Sequence, residues 1–284
     1  MTTTVTITGT GCPIPDPHRA GPGVLVRYGD LTLQFDVGRA TVPRLAAADV
    51  WIPELGAVFV THHHSDHLTG LTDLLLTRWV MRRDTATPTL PVIVPAGPAE
   101  QLVASLLDPW RDDLAARKAH TGRVDDPDYT VVPFAVTDTV TEVWRHDDVV
   151  VKAGPVRHQP LHPAVGYRVE TPDGVVAITG DTLVCDEVGE LVRGADVVVY
   201  EAMRFPPIEA LPEHRRFILD YHADTRLIGA QMAELEIPTL MLTHLIPPPS
   251  TDAERQAFVD DIRNAGYQGA LMVADDLETV QLGS

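Results

Sequence analysis

The chain has 284 residues, 44% hydrophobic and 22% charged, with 40 acidic side chains against 22 Lys and Arg and a net charge of −18; this composition excludes global disorder and disfavours non-specific binding to nucleic acid or anionic lipid. The length is enough to bury roughly three quarters of the unfolded surface without disulfides, and Cys12 and Cys185 supply neither a disulfide framework nor a Cys-x-x-Cys thiolate site. No basic and apolar leader opens the chain and no apolar run approaches a membrane span, so the expectation is a cytoplasmic protein, one domain over 1–284, with no membrane partner.

In chain order, Val24 to Tyr28, Leu31 to Phe35 and Ala57 to Thr61 are β-rich runs bounded by Gly or Asp. Leu68, Leu71, Leu75 and Trp79 fall on one stripe of a predicted helix over 68–80. Residues 99–118 are helical in composition, broken or kinked at Pro109. Val149 to Val156 is a further strand, and Gly166 to Glu170 and Val175 to Thr179 flank Thr171-Pro172-Asp173-Gly174 as a hairpin. Val197 to Tyr200, Thr239 to Thr243 and Ala270 to Val273 are continuous apolar runs, as expected of strands buried on both faces. Leu227, Ile228, Gln231, Met232 and Leu235 outline an amphipathic helix. The capping box at Thr251 to Glu254 and the glycine at Gly266 bound a last helix. The proline-rich stretches at 13–22, 205–212 and 247–249 read as loops. Strands mixed with helices on both sides predict a layered α/β fold.

Several apolar runs end in a metal-competent residue: the 57–61 run at His62, the 175–179 run at Asp181, the 197–200 run at Glu201 and the 239–243 run at His244. In layered α/β folds ligands bind at the carboxyl ends of strands, so these endings can share one rim. The first is the richest, because residues 62–67 hold four of the chain's 12 histidines together with Asp66. Imidazole and carboxylate are the natural donors for zinc, manganese or iron. A turn after a strand lets His62 and His64 point one way while Asp66 and His67 face the following helix. Taken alone, such a turn also fits a solvated loop or a single adventitious metal site; Asp181 and His244 at other strand ends weigh against both.

The His-x-His-x-Asp-His segment resembles the metallo-β-lactamase superfamily, best the branch with ribonuclease Z and the related arylsulfatase-like and phosphodiesterase-like hydrolases. The resemblance runs through Thr8-Gly9-Thr10-Gly11, Asp16 to Pro22, Asp36-Val37-Gly38, His158 before Gly166-Tyr167-Arg168, Thr179-Gly180-Asp181-Thr182 and Thr243-His244-Leu245. It implies a four-layer αββα sandwich of two mixed sheets flanked by helices, with two divalent metal ions between the sheets, zinc the first choice and manganese or iron the alternatives. His62, His64 and His158 would hold one metal, Asp66, His67 and His244 the other, and Asp181 would bridge them. Such a set carries two negative charges against two dications, leaving room for a hydroxide and an anionic group; paired metals bring the pKa of bound water to about 7.

The same resemblance implies that His222 acts as general acid or oxyanion partner, oriented by Glu201, and departs from the ribonuclease Z pattern at Tyr200, where that branch has His. Asp66 joins His222 and Glu201 as a catalytic candidate. His158 is favoured over His162 as ligand by its distance to Gly166-Tyr167, with His162 on the pocket wall; His63 points away, and His18, His120, His146 and His214 are surface residues. Trp79, Trp110, Trp144, Phe205 and Tyr221 are candidates for a pocket wall, with Trp79 assigned to the core, and 205–221 is a candidate cover. The stretch from His158 to Asp181 leaves no room for the tRNA-grasping arm that the resemblance places there. With the acidic balance, this sets the expectation of a small-molecule phosphodiester or sulfate ester as substrate, with nucleic acid disfavoured as a partner. The alternatives are a lactonase, a tRNA 3′-processing endonuclease (ribonuclease Z) and a mono-iron thiol oxidoreductase. The family also suggests a homodimer.

Overall fold

The computed structural model describes residues 2–82 and 88–283. Its strands are β1 (Thr3–Gly9), β2 (Gly23–Tyr28), β3 (Leu31–Phe35), β4 (Ala57–Phe59), β5 (Leu90–Pro95), β6 (Tyr129–Phe134), β7 (Thr141–His146), β8 (Val149–Pro155), β9 (Val165–Thr171), β10 (Gly174–Ile178), β11 (Val197–Met203), β12 (Thr239–Ile246), β13 (Ala270–Val273) and β14 (Thr279–Gln281). One sheet runs β14-β1-β2-β3-β4-β5-β6 and the other β13-β12-β11-β10-β9-β8-β7. In each, an antiparallel meander leads into parallel strands, β3 to β6 in the first and β10 to β13 in the second. The helices are α1 (Thr41–Ala47), α2 (Ser65–Leu68), α3 (Leu71–Met81), α4 (Pro98–Ser105), α5 (Arg111–Thr121), α6 (Asp186–Val192), α7 (Phe205–Glu209), α8 (Thr225–Glu234) and α9 (Asp252–Asn264).

The period-two alternation of the strands sorts their side chains into three apolar layers. Phe35, Phe59, Tyr167, Ile178, Val199 and Met241 pack between the sheets. Val58 and Val60 face outward against Leu71, Leu74 and Leu75 of α3. Val198, Tyr200, Leu240 and Leu242 face outward against α6, α8 and α9. Helices therefore cover both outer faces, and the layered αββα sandwich is realised. The continuous apolar runs are strands buried on both faces, as parallel central strands must be. The sheets are tied where β4 ends: the Tyr167 hydroxyl donates to the Val60 carbonyl at 2.6 Å, and the Val165 amide donates to the Thr61 carbonyl at 3.0 Å. Among the described residues no helix is long and apolar enough to cross a membrane.

Four local expectations are corrected. The helix placed over 68–80 is two helices, α2 and α3, parted at Gly70. The backbone of Gly70 lies so close to that of Gly38 that an added Cβ would stand 2.0 Å from the Gly38 carbonyl oxygen. The stretch 205–212, read as a loop from its prolines, opens with α7, whose Pro206 and Pro207 occupy the first turn, where a fixed φ and a missing N–H cost nothing. Leu227 is exposed rather than on the apolar face of α8, which packs through Ile228, Gly229 and Met232. Finally β1, β5, β6, β7 and β14 add to the strands expected from the sequence: β5 has Pro at two positions, and β6 and β7 are only half-buried.

Gly70 and Gly189 make a matched test. Gly189 lies within α6, and a Cβ there would meet nothing closer than 3.5 Å. Gly70→Ala is expected to destabilise the fold by about 3 kcal/mol or more, the upper end of overpacking costs. Gly189→Ala should be neutral or stabilising by up to about 1 kcal/mol. Urea midpoints read both; equal midpoints would remove the close-approach argument.

Candidate metal centre

The histidine-rich turn is shaped by Asp36, at the end of β3. Its backbone is left-handed, with φ 53°, and its carboxylate accepts from the Thr61 amide at 2.8 Å, the Thr61 hydroxyl at 2.8 Å and His67 Nδ1 at 2.7 Å. The turn is thus clamped at both ends, to β4 through Thr61 and to α2 through His67. His62 and His64 lie in the extended stretch between, and Asp66 and His67 on the first turn of α2.

The remaining candidates arrive from the other sheet. Asp181 follows β10 after Gly180, which has a φ of 61° and where an added Cβ would stand 3.0 Å from the Thr61 side chain. His244 sits where the pairing of β11 with β12 slips by one residue, opposite the step from Glu201 to Ala202, and its own φ is 47°. That bulge re-aims its side chain. His158 is held by its Nδ1, which donates to the Tyr221 carbonyl at 2.9 Å.

Two clusters of donor atoms result. In the first, His64 Nδ1 lies 3.1 Å from His62 Nε2 and 3.0 Å from His158 Nε2, and Asp181 Oδ2 stands 3.9 and 3.8 Å from those two Nε2 atoms. In the second, Asp66 Oδ2 is 3.7 Å from His67 Nε2 and 3.4 Å from His244 Nε2, while Asp181 Oδ2 is 3.3 and 3.4 Å from the same two. Donors bound tetrahedrally to one zinc at 2.0–2.1 Å stand about 3.3 Å apart, so both clusters have the spacing of a coordination shell, and Asp181 Oδ2, a member of the first, also lies within 3.4 Å of the two imidazole nitrogens of the second. His67 Nε2 is buried and has no hydrogen-bond partner. The residues present therefore fit a pair of cations.

The outer hydrogen bonds choose the tautomers. The Thr61 hydroxyl gives its proton to Asp36, so its oxygen accepts from His62 Nδ1 at 2.9 Å, which leaves His62 Nε2 with a free lone pair. Asp36 does the same for His67 and the Tyr221 carbonyl for His158. Such partners fix ring orientation and raise donor strength. Glu201, buried on β11, accepts from the Thr182 amide at 3.1 Å, the Ala223 amide at 3.1 Å and His222 Nδ1 at 3.0 Å. His222 is thereby left with Nε2 toward Asp181 and His244, with which it forms a further donor group.

Charge divides the centre. Burial pushes His62 well below the usual imidazole range and His64 down to about 4, and it lowers His158 as well. In the second cluster burial acts the same way on His67 and His244, but carboxylates outweigh it. Asp181 and Asp36 hold His67 well above its ordinary value, and Asp181 and Asp66 raise His244 to about 9. Burial alone would raise Asp181; the His244 and His67 imidazoles instead keep it well below the carboxylate range.

His62, His64, Asp66, His67, His158, Asp181 and His244 thus meet in one place, with His222 and Glu201 beside them. His63 is half-buried and outside the clusters, and His162 is exposed rather than on a pocket wall. Of the aromatic candidates, Tyr221 is at the centre, its ring 5.2 Å from that of His158 and 4.8 Å from that of His222. Trp79 is core, Trp144 packs on Phe59 between the sheets, Trp110 is exposed, and Phe205 joins Met203, Ile208 and Ile246 around Cys12. Sequence reasoning left Asp36 and Thr61 without a role; Asp36-Val37-Gly38 was the available signal.

Comparison with known proteins agrees with this geometry. The family model described as Beta-lactamase superfamily domain matches residues 33–245. The chain is 37% identical over 284 residues to a ribonuclease Z of Mycolicibacterium gilvum, with 98% of this chain and 96% of the relative covered. It superimposes on the metallo-beta-lactamase fold protein YhfI from Bacillus subtilis with a TM-score of 0.75 at 19% identity, covering 99% of this chain and 100% of the other. Against human tRNase Z, short form, the TM-score is 0.68 at 20% identity, with 98% and 99% covered. The expectation that nucleic acid is an unlikely partner is corrected by these relatives. A protein bearing the name ribonuclease Z matches end to end at nearly equal length, so a compact His158–Asp181 interval does not set this chain apart from it. Net charge is a global sum, whereas RNA binding is set by the field at the site.

A pH dependence follows from the raised histidines. Without metal His244 keeps its proton up to about pH 9, so a cation entering the second cluster must displace it. Uptake of zinc by metal-free protein at pH 7 is expected to release protons, with apparent affinity rising as pH rises toward 9. Calorimetry in two buffers of different ionisation enthalpy reads the proton count; a buffer-independent heat contradicts it.

Proposed function

We propose that this chain, which belongs to the beta-lactamase superfamily, cleaves an RNA phosphodiester as a ribonuclease Z-like endonuclease acting at the 3′ side of tRNA. The chain is a metal-dependent hydrolase; the RNA substrate and the residue roles are our reading. The observation that carries the substrate is the end-to-end match, at 37% identity, to a relative named ribonuclease Z.

In this reading His62, His64 and His158 hold one cation, Asp66, His67 and His244 a second, and Asp181 both. Zinc suits a set of imidazoles and carboxylates. Bound there, such cations would supply Lewis-acid chemistry to the phosphodiester and to an attacking water. The chain's own residues do the rest. Asp36 and Thr61 keep the imidazoles of the turn oriented. Glu201 fixes His222 through Nδ1, so that a proton on His222 Nε2 is presented to the leaving ribose oxygen and the resulting charge change is balanced by a buried carboxylate. Two donor sets sharing Asp181 favour this reading over a single iron acting on thiols.

Metal-loaded protein given a tRNA precursor with a 3′ trailer is expected to yield one discrete cut and to lose it on chelation. Turnover of a small diester or sulfate ester with the precursor left intact would contradict the RNA reading. His222→Ala should keep its metal content and lower kcat by about 10²–10⁴-fold, the range of acid–base catalysis; full turnover in that variant would take His222 out of the mechanism.

A further inference from the structure

The segment joining Glu201 to His222 is pinned from below and carries an aromatic ring on top. Ile208 is buried in a small cluster with Cys12, Met203 and Ile246, and Phe205, Leu211, Ile218 and Leu219 pack against it. Phe217 does not join them: it is 59% exposed, in a stretch whose other large apolar side chains turn inward. Its ring lies 6.3 Å from that of Tyr221, tilted by 38°, and Tyr221 in turn lies 5.2 Å from His158. An exposed aromatic face therefore stands two ring contacts from the first donor cluster, about the reach of one nucleotide.

The residues before it have the complementary charge. In so acidic a chain arginines normally find carboxylates, and Arg19, Arg44, Arg204, Arg226 and Arg255 all do. Arg215 and Arg216 are both exposed, and among the described residues neither has an ion-pair partner. Arg216 is nevertheless placed, since its Nε donates to the Leu211 carbonyl at 2.6 Å. An exposed ring stepping toward a reaction centre beside uncompensated guanidinium groups is the combination that holds single-stranded nucleic acid, with bases stacked on the ring and phosphates against the cations.

We propose that Phe217, backed by Tyr221, stacks a base flanking the scissile phosphodiester, and that Arg215 and Arg216 take the neighbouring phosphates. This deepens the RNA reading and rests on it. The two guanidinium groups give a chain of net charge −18 a local pair of cations that among the described residues have no carboxylate partner, although Glu213 and Asp220 lie in the same exposed stretch.

The test compares two substrates on one enzyme, a tRNA precursor with a single-stranded 3′ trailer and methyl p-nitrophenyl phosphate. Phe217→Ala is expected to lower the ratio of kcat/KM on the RNA to that on the diester by about 5- to 100-fold, the usual range for losing one base stack. The loss should fall mainly on KM for the RNA, and Phe217→Trp should restore it. Arg215→Ala with Arg216→Ala should flatten the salt dependence of log kcat/KM on the RNA by about 0.7 for each phosphate that is no longer neutralised. An unchanged ratio and an unchanged salt slope, in protein that cuts the RNA, overturn the platform and leave the RNA reading standing. Wild-type protein that hydrolyses the diester and spares the RNA overturns both.

Discussion

A buried carboxylate that faces imidazoles on two sides is the constraint from which the rest of the molecule follows. Asp181 is 3% exposed and lies 3.3 to 3.9 Å from four imidazole nitrogens. An ionised group taken out of water at this depth is costly unless positive charge or strong donors surround it. The structure answers with His67 and His244, which hold protons against the pull of burial, and with His62, His64 and His158, which do not. Cations held by these rings would take over the role of the protons on His67 and His244, so that Asp181 would no longer depend on the titration of its neighbours.

Bringing those side chains together strains the backbone at chosen points. Asp36 and His244 adopt left-handed conformations that non-glycine residues avoid, at a cost on the order of 1–2 kcal/mol each. Gly180 takes the same region without penalty beside Thr61. Each lies where a strand gives way to the centre. The surrounding sheets over-determine them: Asp36 by three hydrogen bonds from the turn it shapes, His244 by the register shift between β11 and β12. Stability built up in three apolar layers is concentrated, at the rim, into geometry.

What was legible in the sequence divides along the same line. The donors of the histidine-rich turn, Asp181 and His244 could be read because their chemistry is fixed by residue type and their position by the ends of apolar runs; His158 came from the family resemblance. A layered α/β fold could be read because runs buried on both faces require cover on both, and its αββα form came from the family resemblance. Asp36 had no role in that reading, since it binds no ring by sequence proximity and acts on residues 25 and 31 positions away. Tyr221 orients His158 through its main-chain carbonyl, which residue type does not encode. The split at Gly70 comes from its close approach to Gly38, a tertiary fact. The expectation that nucleic acid is an unlikely partner failed for a different reason: total charge describes the whole surface, and binding is set by the local field, which a sum over the sequence does not give.

The account stands on Asp181 serving two cations at once. Metal analysis of fully loaded wild-type protein, with element-specific anomalous scattering from its crystals, tests that directly. The prediction is two cations per chain, both in contact with Asp181, and a loss of at least one together with nearly all turnover in Asp181→Ala. One cation in the wild type, or two retained in the variant, would contradict it.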